Sequence, residues 1–180
     1  RDGMMRPNAK PEVVHETPTT ATIDAHGGLG QPPSHLAMKM AMDKAEKLGA
    51  RFVAVRNSNH YGIAGYYAMM ALKKDMIGIS TTNADVLVVP TFGRNALFGT
   101  NPIAVAAPAL KQRPFVLDMA TSVVPRGKLE VYDRLGKPLP EGWATDVTGL
   151  GTQDATQVLK NFATRAGGGI LPLGGEGELN

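Results

Sequence analysis

Two residues in this chain stand where α/β proteins do chemistry. His60 lies in the stretch 57–67, N-S-N-H-Y-G-I-A-G-Y-Y. The apolar run Phe52-Val53-Ala54-Val55 before it reads as a buried strand that stops at Arg56, and a helical pattern begins at Ile63. A histidine between a strand end and a helix start sits where ligands bind, beside the unpaired N–H groups of the helix's first turn. The bland alternative is a satisfied structural histidine. Asp118 closes a second strand, Phe115-Val116-Leu117. A carboxylate there can bond a ligand or orient a histidine, and the N–H groups after it could hold a phosphate. Equally, Asp118 could cap a helix expected to run from there through Val131.

Other chemistries lack their residues. The four histidines include no H-x-H or H-x-x-x-H pair, and cysteine is absent, which argues against a metal site and a thiolate nucleophile. No G-x-S-x-G elbow supports a serine hydrolase. Gly27-Gly28-Leu29-Gly30 is glycine-rich but lacks the G-x-G-x-x-G and P-loop spacings, so a tight turn is the better reading than phosphate binding. The formal net charge is +3 and no lysine/arginine run exceeds two residues, which disfavours nucleic acid as a partner. No apolar stretch is long enough to span a membrane. Hydrophobic residues make up 43% and charged residues 19%, the balance of a globular chain. The lack of cysteine suits a reducing compartment, and a cytoplasmic location is expected.

The elements that must position these residues follow from periodicity. An extended lead-in occupies 1–19, with an edge strand at Glu12-Val13-Val14, and Ala21-Thr22-Ile23-Asp24-Ala25 alternates as a short strand. Pro32-Pro33-Ser34 opens a helix whose Met38, Ala41, Met42, Ala45 and Leu48 share a face, and Gly49 closes it. After the His60 stretch, Ile63, Tyr66, Tyr67, Met70 and Ala71 make an amphipathic helix ending near Lys73-Lys74. A strand is expected over 76–83, then a short apolar segment at Val86-Leu87-Val88-Val89. Polar turns flank a strand at Ile103-Ala104-Val105-Ala106-Ala107. The short loop at Gln112-Arg113 implies an antiparallel partner in Phe115-Val116-Leu117, and so a mixed sheet. Residues 133–140 read as a turn-rich excursion, 152–162 as a helix, and Gly167-Gly168-Gly169 as a flexible link. The alternation of strand and helix predicts an α/β layered domain.

Five segments, in this order and spacing, carry a resemblance: 57–67, G-T-N-P at 99–102, L-D-M-A-T-S at 117–122, Gly127-Lys128, and I-L-P-L-G-G at 170–175. Together they resemble the type-2 malate/L-lactate dehydrogenase family, which includes sulfolactate, ureidoglycolate and diketogulonate enzymes. The resemblance runs from about Gly3 to Asn180. It implies a three-layer α/β fold around a mixed (parallel and antiparallel) sheet, and a non-Rossmann NAD(P)-binding domain over 20–180. It further implies hydride transfer between NAD or NADP and a small 2-oxo or 2-hydroxy acid, by a homodimer.

By that resemblance His60 stands at the substrate and nicotinamide end of the site, where some members use it as proton acceptor. Asp118 is a charge-relay partner in some. Val116, Leu117, Asp118, Met119 and Ala120 match a cofactor-contacting stretch. Asn83 and Ala84 fall in a segment approaching the cofactor, with Ala84 where part of the family has serine. Thr100 and Asn101 build the substrate floor. A Ser-His-Gly motif upstream and a Lys-Gly-x-Gly motif downstream are the family elements not found. The chain is therefore expected to be a central piece, truncated at both ends, without full catalysis alone. Competing expectations are a non-catalytic nucleotide- or metabolite-binding module that kept the fold, and a purely structural oligomer domain, which would bind no cofactor.

Overall fold

The computed structural model of the chain describes Gly3 and residues 5–175. The expected tail at Glu176-Gly177-Glu178-Leu179-Asn180 lies outside the described residues. Where the sequence suggests a lead-in and one domain, the chain forms two compact units. One comprises 1–80 with 104–118, the other 81–103 with 119–180.

In the first unit, β1 (Glu12–Glu16), β2 (Thr20–Gly28) and β3 (Phe52–Ser58) form a sheet in the order β1-β2-β3. β1 is antiparallel to β2 and β3 is parallel to it, so the sheet is mixed, as expected. A parallel neighbour requires a crossover, and α1 (Gln31–Leu48) supplies it. Ala21, Ile23, Asp24 and Ala25 of the central strand are all buried. Two expectations fail at its neighbours. β3 is not a buried strand ending at Val55: it continues to Ser58, and Phe52 is 74% exposed because β3 is an edge of the sheet. Leu48, expected on the packed face of α1, is exposed in the last turn.

β2 also runs past the turn expected at Gly27 and Gly28, by way of a bulge. Asp24 pairs with Arg56, yet the next pair is Gly28 with Ser58. The surplus residues of β2 are absorbed by His26 (φ 50°) and Gly27 (φ 77°), opposite Asn57 (φ 51°). The buried Asp24 carboxylate stitches this irregularity. It accepts from His26 N–H at 2.8 Å, Asn57 Nδ2 at 2.8 Å and Arg56 Nε at 2.9 Å.

A second sheet has the order β4 (Gly78–Thr81), β5 (Ile103–Ala107), β6 (Phe115–Met119). The β5 and β6 segments are neighbours across the loop containing Gln112 and Arg113, as the sequence suggests. Against the sheet lies α2 (Ala64–Met70), followed by a 3-10 turn, Ala71–Lys74. Ala64 and Ala68 of α2 pack on Ala104 and Ala106 of β5. Small side chains allow this close approach, and a Cβ on Gly78 would lie 2.1 Å from the Ala68 carbonyl oxygen. Ile63 and Tyr66, expected on the buried face of α2, are exposed; the face that packs is the alanine face.

The second unit is built on Val88, Val124, Leu129, Leu139, Ala144, Ala155, Val158 and Ile170. It contains α3 (Arg126–Arg134), β7 (Ala144–Thr145), α4 (Ala155–Thr164) and β8 (Gly169–Ile170). The helix expected to begin at Asp118 begins instead at Arg126, because Asp118 and Met119 stay in β6 and Pro125 supplies the extended N-cap. Asp133 and Arg134, read as turn residues, are the last turn of α3. Asp154 caps α4 by accepting from Gln157 N–H at 2.9 Å. Gly167-Gly168-Gly169 is no free link: Gly168 and Gly169 are buried, and Gly169 pairs with Thr145.

The Asp24 bonds have a pH signature. Above all the His26 N–H, with help from Asn57 and Arg56, holds the Asp24 carboxyl below the ordinary carboxylate range. A carboxyl depressed by folding stabilises the folded state fully above its unfolded value of about 3.9 and loses that contribution as pH falls through the folded value. Asp24→Asn is therefore expected to lower the melting temperature at pH 7. The gap to the parent should shrink between pH 4 and the acid limit of folding. A gap that stays constant over that range would contradict this account.

Candidate functional site

The bulge sets the course of the chain beyond β3. After Ser58, Asn59 is tied to β2: its N–H donates to the Gly28 carbonyl at 3.1 Å, and its Nδ2 reaches the Gly27 and Gly28 carbonyls at 2.9 and 3.0 Å. A Cβ on Gly30 would lie 2.2 Å from the Asn59 carbonyl oxygen, so only glycine admits this loop against the start of α1. His60 comes next and is exposed. Its Nδ1 accepts from the Gly62 N–H at 3.0 Å. Gly62 has φ 88°, a conformation open to glycine, and this turns its N–H back on the ring.

α2 then starts at Ala64, and its N-terminal turn meets Asp118. The Gly65 N–H donates to Asp118 Oδ2 at 2.8 Å. Asp118 thus does cap a helix, but the helix is α2, fifty-three positions away in sequence, and not the one that comes after it. A negative charge at that end also suits the helix dipole. His60 and Asp118 are thereby brought to the same end of α2 through separate backbone N–H groups.

An open groove of about 600 Å³ runs between the start of α1 and α2 and takes in Tyr61 and Gly62, the residues that follow His60. Gln31, Pro32 and His35 line one side, and Tyr61, Ile63 and Tyr66 the other. His35, read as a solvated surface residue, is exposed and borders this groove. Tyr61 stacks on Tyr67 with ring centroids 5.0 Å apart, and the Tyr67 hydroxyl donates to the Tyr61 carbonyl at 2.5 Å. Burial, with Tyr61 and Tyr66 nearby, pushes the Tyr67 phenol above its ordinary value.

In the second unit the other expected residues meet each other. The Ala84 N–H donates to Asn101 Oδ1 at 2.9 Å, and Asn101 adopts φ 27°. Thr121, which the sequence reading passed over, binds this turn by donating from its N–H to the Thr100 carbonyl at 2.8 Å and from its hydroxyl to the Thr100 and Asn101 carbonyls at 3.2 and 3.3 Å. A Cβ on Gly99 would lie 2.4 Å from both the Ala84 carbonyl oxygen and Asn101 Oδ1. The G-T-N-P turn is therefore a docked loop that pins the segment carrying Asn83 and Ala84. Val116 and Leu117 lie on β6 in the first unit; Met119 and Ala120, half-buried, open the return of the chain into the second.

Sequence reasoning missed Gly65, Gln31, Tyr61 and Thr121. Gly65 in the second position of a helix is the one legible signal, since glycine is poor in helices unless something approaches it closely. Among the described residues no three histidine, aspartate or glutamate side chains gather as metal ligands. No helix there is long and apolar enough to cross a membrane.

The cap at α2 is directly testable. A Cβ on Gly65 would lie 2.6 Å from Asp118 Oδ2. Gly65→Ala should cost about 1–3 kcal/mol, as overpacking does, read from urea unfolding tracked by circular dichroism. Asp118→Asn, whose amide oxygen can still accept from Gly65, should cost less. An alanine variant as stable as the parent would show that the carboxylate is not seated on α2.

The geometry can be set beside known proteins. The family model for malate/L-lactate dehydrogenase matches residues 1–177. The malate dehydrogenase of Pyrococcus abyssi is 55% identical over 168 residues, which are 93% of this chain and 44% of that protein. The L-sulfolactate dehydrogenase of Methanocaldococcus jannaschii is 43% identical over 173 residues, 96% of this chain and 48% of that protein. The crystal structure of malate dehydrogenase from Entamoeba histolytica matches with a TM-score of 0.91 at 41% identity, covering 98% of this chain and 49% of that one. The chain spans about half the length of the relatives it matches. On this match over nearly its whole length, the chain belongs to the malate/L-lactate dehydrogenase family.

Proposed function

We propose that the protein containing this chain is an oxidoreductase that transfers a hydride between NAD or NADP and a small 2-oxo or 2-hydroxy acid of the malate type. The observation that carries this reading is the start of α2, where an exposed imidazole accepts from the Gly62 N–H just before the helix and a carboxylate accepts from the Gly65 N–H in its first turn. Relatives named for malate and sulfolactate support the substrate class: each is a 2-hydroxy acid with a second anionic group.

The residues fit a nicotinamide nucleotide in kind. Val116, Leu117 and Met119 offer apolar surface. Asp118 offers a carboxylate suited to ribose or carboxamide, and Asn83, Ala84 and Ala120 offer backbone groups and an amide. The groove beside α2 adds aromatic faces, Gln31 and His35. When bound, the cofactor supplies or accepts the hydride at the nicotinamide C4. In this reading Val116, Leu117, Asp118, Met119, Ala120, Asn83 and Ala84 hold it. Thr100 and Asn101 shape the floor under the acid, and His60 and Asp118 stand at the reacting oxygen. A three-layer, non-Rossmann architecture goes with this reading. Its support is the absence of a G-x-G-x-x-G turn between β2 and α1, together with the antiparallel β1. A homodimer and a cytoplasmic location belong to the same proposal.

Fluorescence titration of the chain with NADH and with NADPH is expected to show saturable binding of at least one. Reduction of the 2-oxo acids corresponding to malate, lactate and sulfolactate would then be monitored by NAD(P)H loss. Failure to bind either nucleotide overturns the reading, and binding without turnover of any of the three acids in a full-length protein favours a binding module.

A further inference from the structure

We propose that a cavity between the turn at 6–10 and the bulge of β2 binds a phosphate-type dianion through Arg6 and Lys10. Pro7 and Asn8 suit the centre of a tight turn. They bring Arg6 and Ala9 together, and the Ala9 N–H donates to the Arg6 carbonyl at 3.1 Å. The turn is fastened to the bulge. The Arg6 N–H donates to the Gly27 carbonyl at 2.8 Å. Cγ and Cδ of Arg6 lie 3.7 Å from where a Gly27 Cβ would stand, and the Ala9 Cβ lies 3.2 Å from that position on Gly28. An open cavity of about 500 Å³ remains, lined by Arg6, Pro7, Asn8, Ala9, Lys10 and His26.

The lining decides the kind of ligand. No carboxylate lines the cavity, so it does not suit a cation. Its one aromatic ring, the His26 imidazole, already has a carboxylate at each nitrogen: Glu12 Oε2 at 3.0 Å from Nε2 and Asp24 Oδ1 at 3.4 Å from Nδ1. Arg6 and Lys10 are then the charged donors left. Both are exposed, and among the described residues neither forms an ion pair, whereas Lys44, Arg51, Arg56 and Lys74 of the same unit each do. A guanidinium presents a planar fork to two oxygens, and an ammonium adds a compact charge with further donors. A phosphate monoester, with a charge of about −1.5 to −2 at neutral pH and three acceptor oxygens, matches both cations at once. A single carboxylate would leave one of them unmatched.

The cavity shares no lining residue with the groove between α1 and α2. It is tied to the His60 stretch through one oxygen. The Gly27 carbonyl accepts from the Arg6 N–H on the cavity side and from Asn59 Nδ2 at 2.9 Å. Asn59 also reaches the Gly28 carbonyl through its N–H and its Nδ2. A dianion that holds Arg6 and Lys10 together braces the turn against the bulge, and the brace reaches Asn59, one residue before His60.

The probe is inorganic phosphate, titrated into the uniformly 15N-labelled chain at mildly alkaline pH and constant ionic strength, with chloride as the replaced anion. Saturable shifts are expected at the amides of Arg6, Asn8 and Lys10 and at the Asn59 side-chain amide. Arg6→Gln keeps carbon over Gly27, and with Lys10→Gln it should weaken binding at least about tenfold, because each lost contact is a charge-assisted hydrogen bond. Lys47→Gln with Lys73→Gln removes the same charge from exposed positions that do not line the cavity, and should change the affinity by less than about twofold. Shifts in the parent chain that grow without saturating, or that centre away from residues 6–10, overturn the site whatever the variants do. So does an equal loss in the two double variants. A site that fills without moving the Asn59 amide overturns the link to the His60 stretch.

Discussion

The first unit depends on one buried carboxylate. Asp24 sits on the central strand of its sheet, where a charge is costly unless its oxygens are matched. Three donors match them, and all three belong to residues at or beside the strand irregularity. His26 further contacts Glu12 of β1 through Nε2 at 3.0 Å, so the antiparallel edge is tied into the same network. Without such a network, β2 and β3 would continue in the register set between Thr20–Phe52 and Asp24–Arg56. The displaced register is what brings Gly28 opposite Ser58 and lays Asn59 on the Gly27 and Gly28 carbonyls.

Small residues set the next level of the structure. The alanine face of α2 meets the alanines of β5, and Gly78 and Gly65 remove the two Cβ atoms that would keep helix and sheet apart. Close packing of backbone on backbone leaves little room for adjustment. It is the reason a strand residue, Asp118, can reach the first turn of a helix. Fifty-three residues of sequence separate donor from acceptor, and the pairing exists because α2 lies directly on the sheet.

The same logic of backbone donors holds at the start of α2. Around α2 the carboxylate is paired with the helix and the imidazole with the turn before it. This division of partners gives Asp118 a part in holding the helix that frames the groove.

Much of this was legible in the chain itself. Strand and helix alternation, the proline entry and glycine exit of α1, the strand at Ile103–Ala107, and the family motifs all arise from local propensity and pattern, which need no partner. Burial was less legible. Phe52 and Ile63 have the residue type of core positions, yet edge position and helix rotation expose them. The helix expected at Asp118 failed because a carboxylate after a strand has the same local signature whether it caps the next helix or a distant one. Residue types and their spacing specify which elements form and which polar residues end them. Which N–H each polar group receives is fixed in three dimensions, because the hydrogen bonds of His60 with Gly62 and of Asp118 with Gly65 depend on backbone angles and on the closeness of α2 to its sheet, and neither is written in residue type.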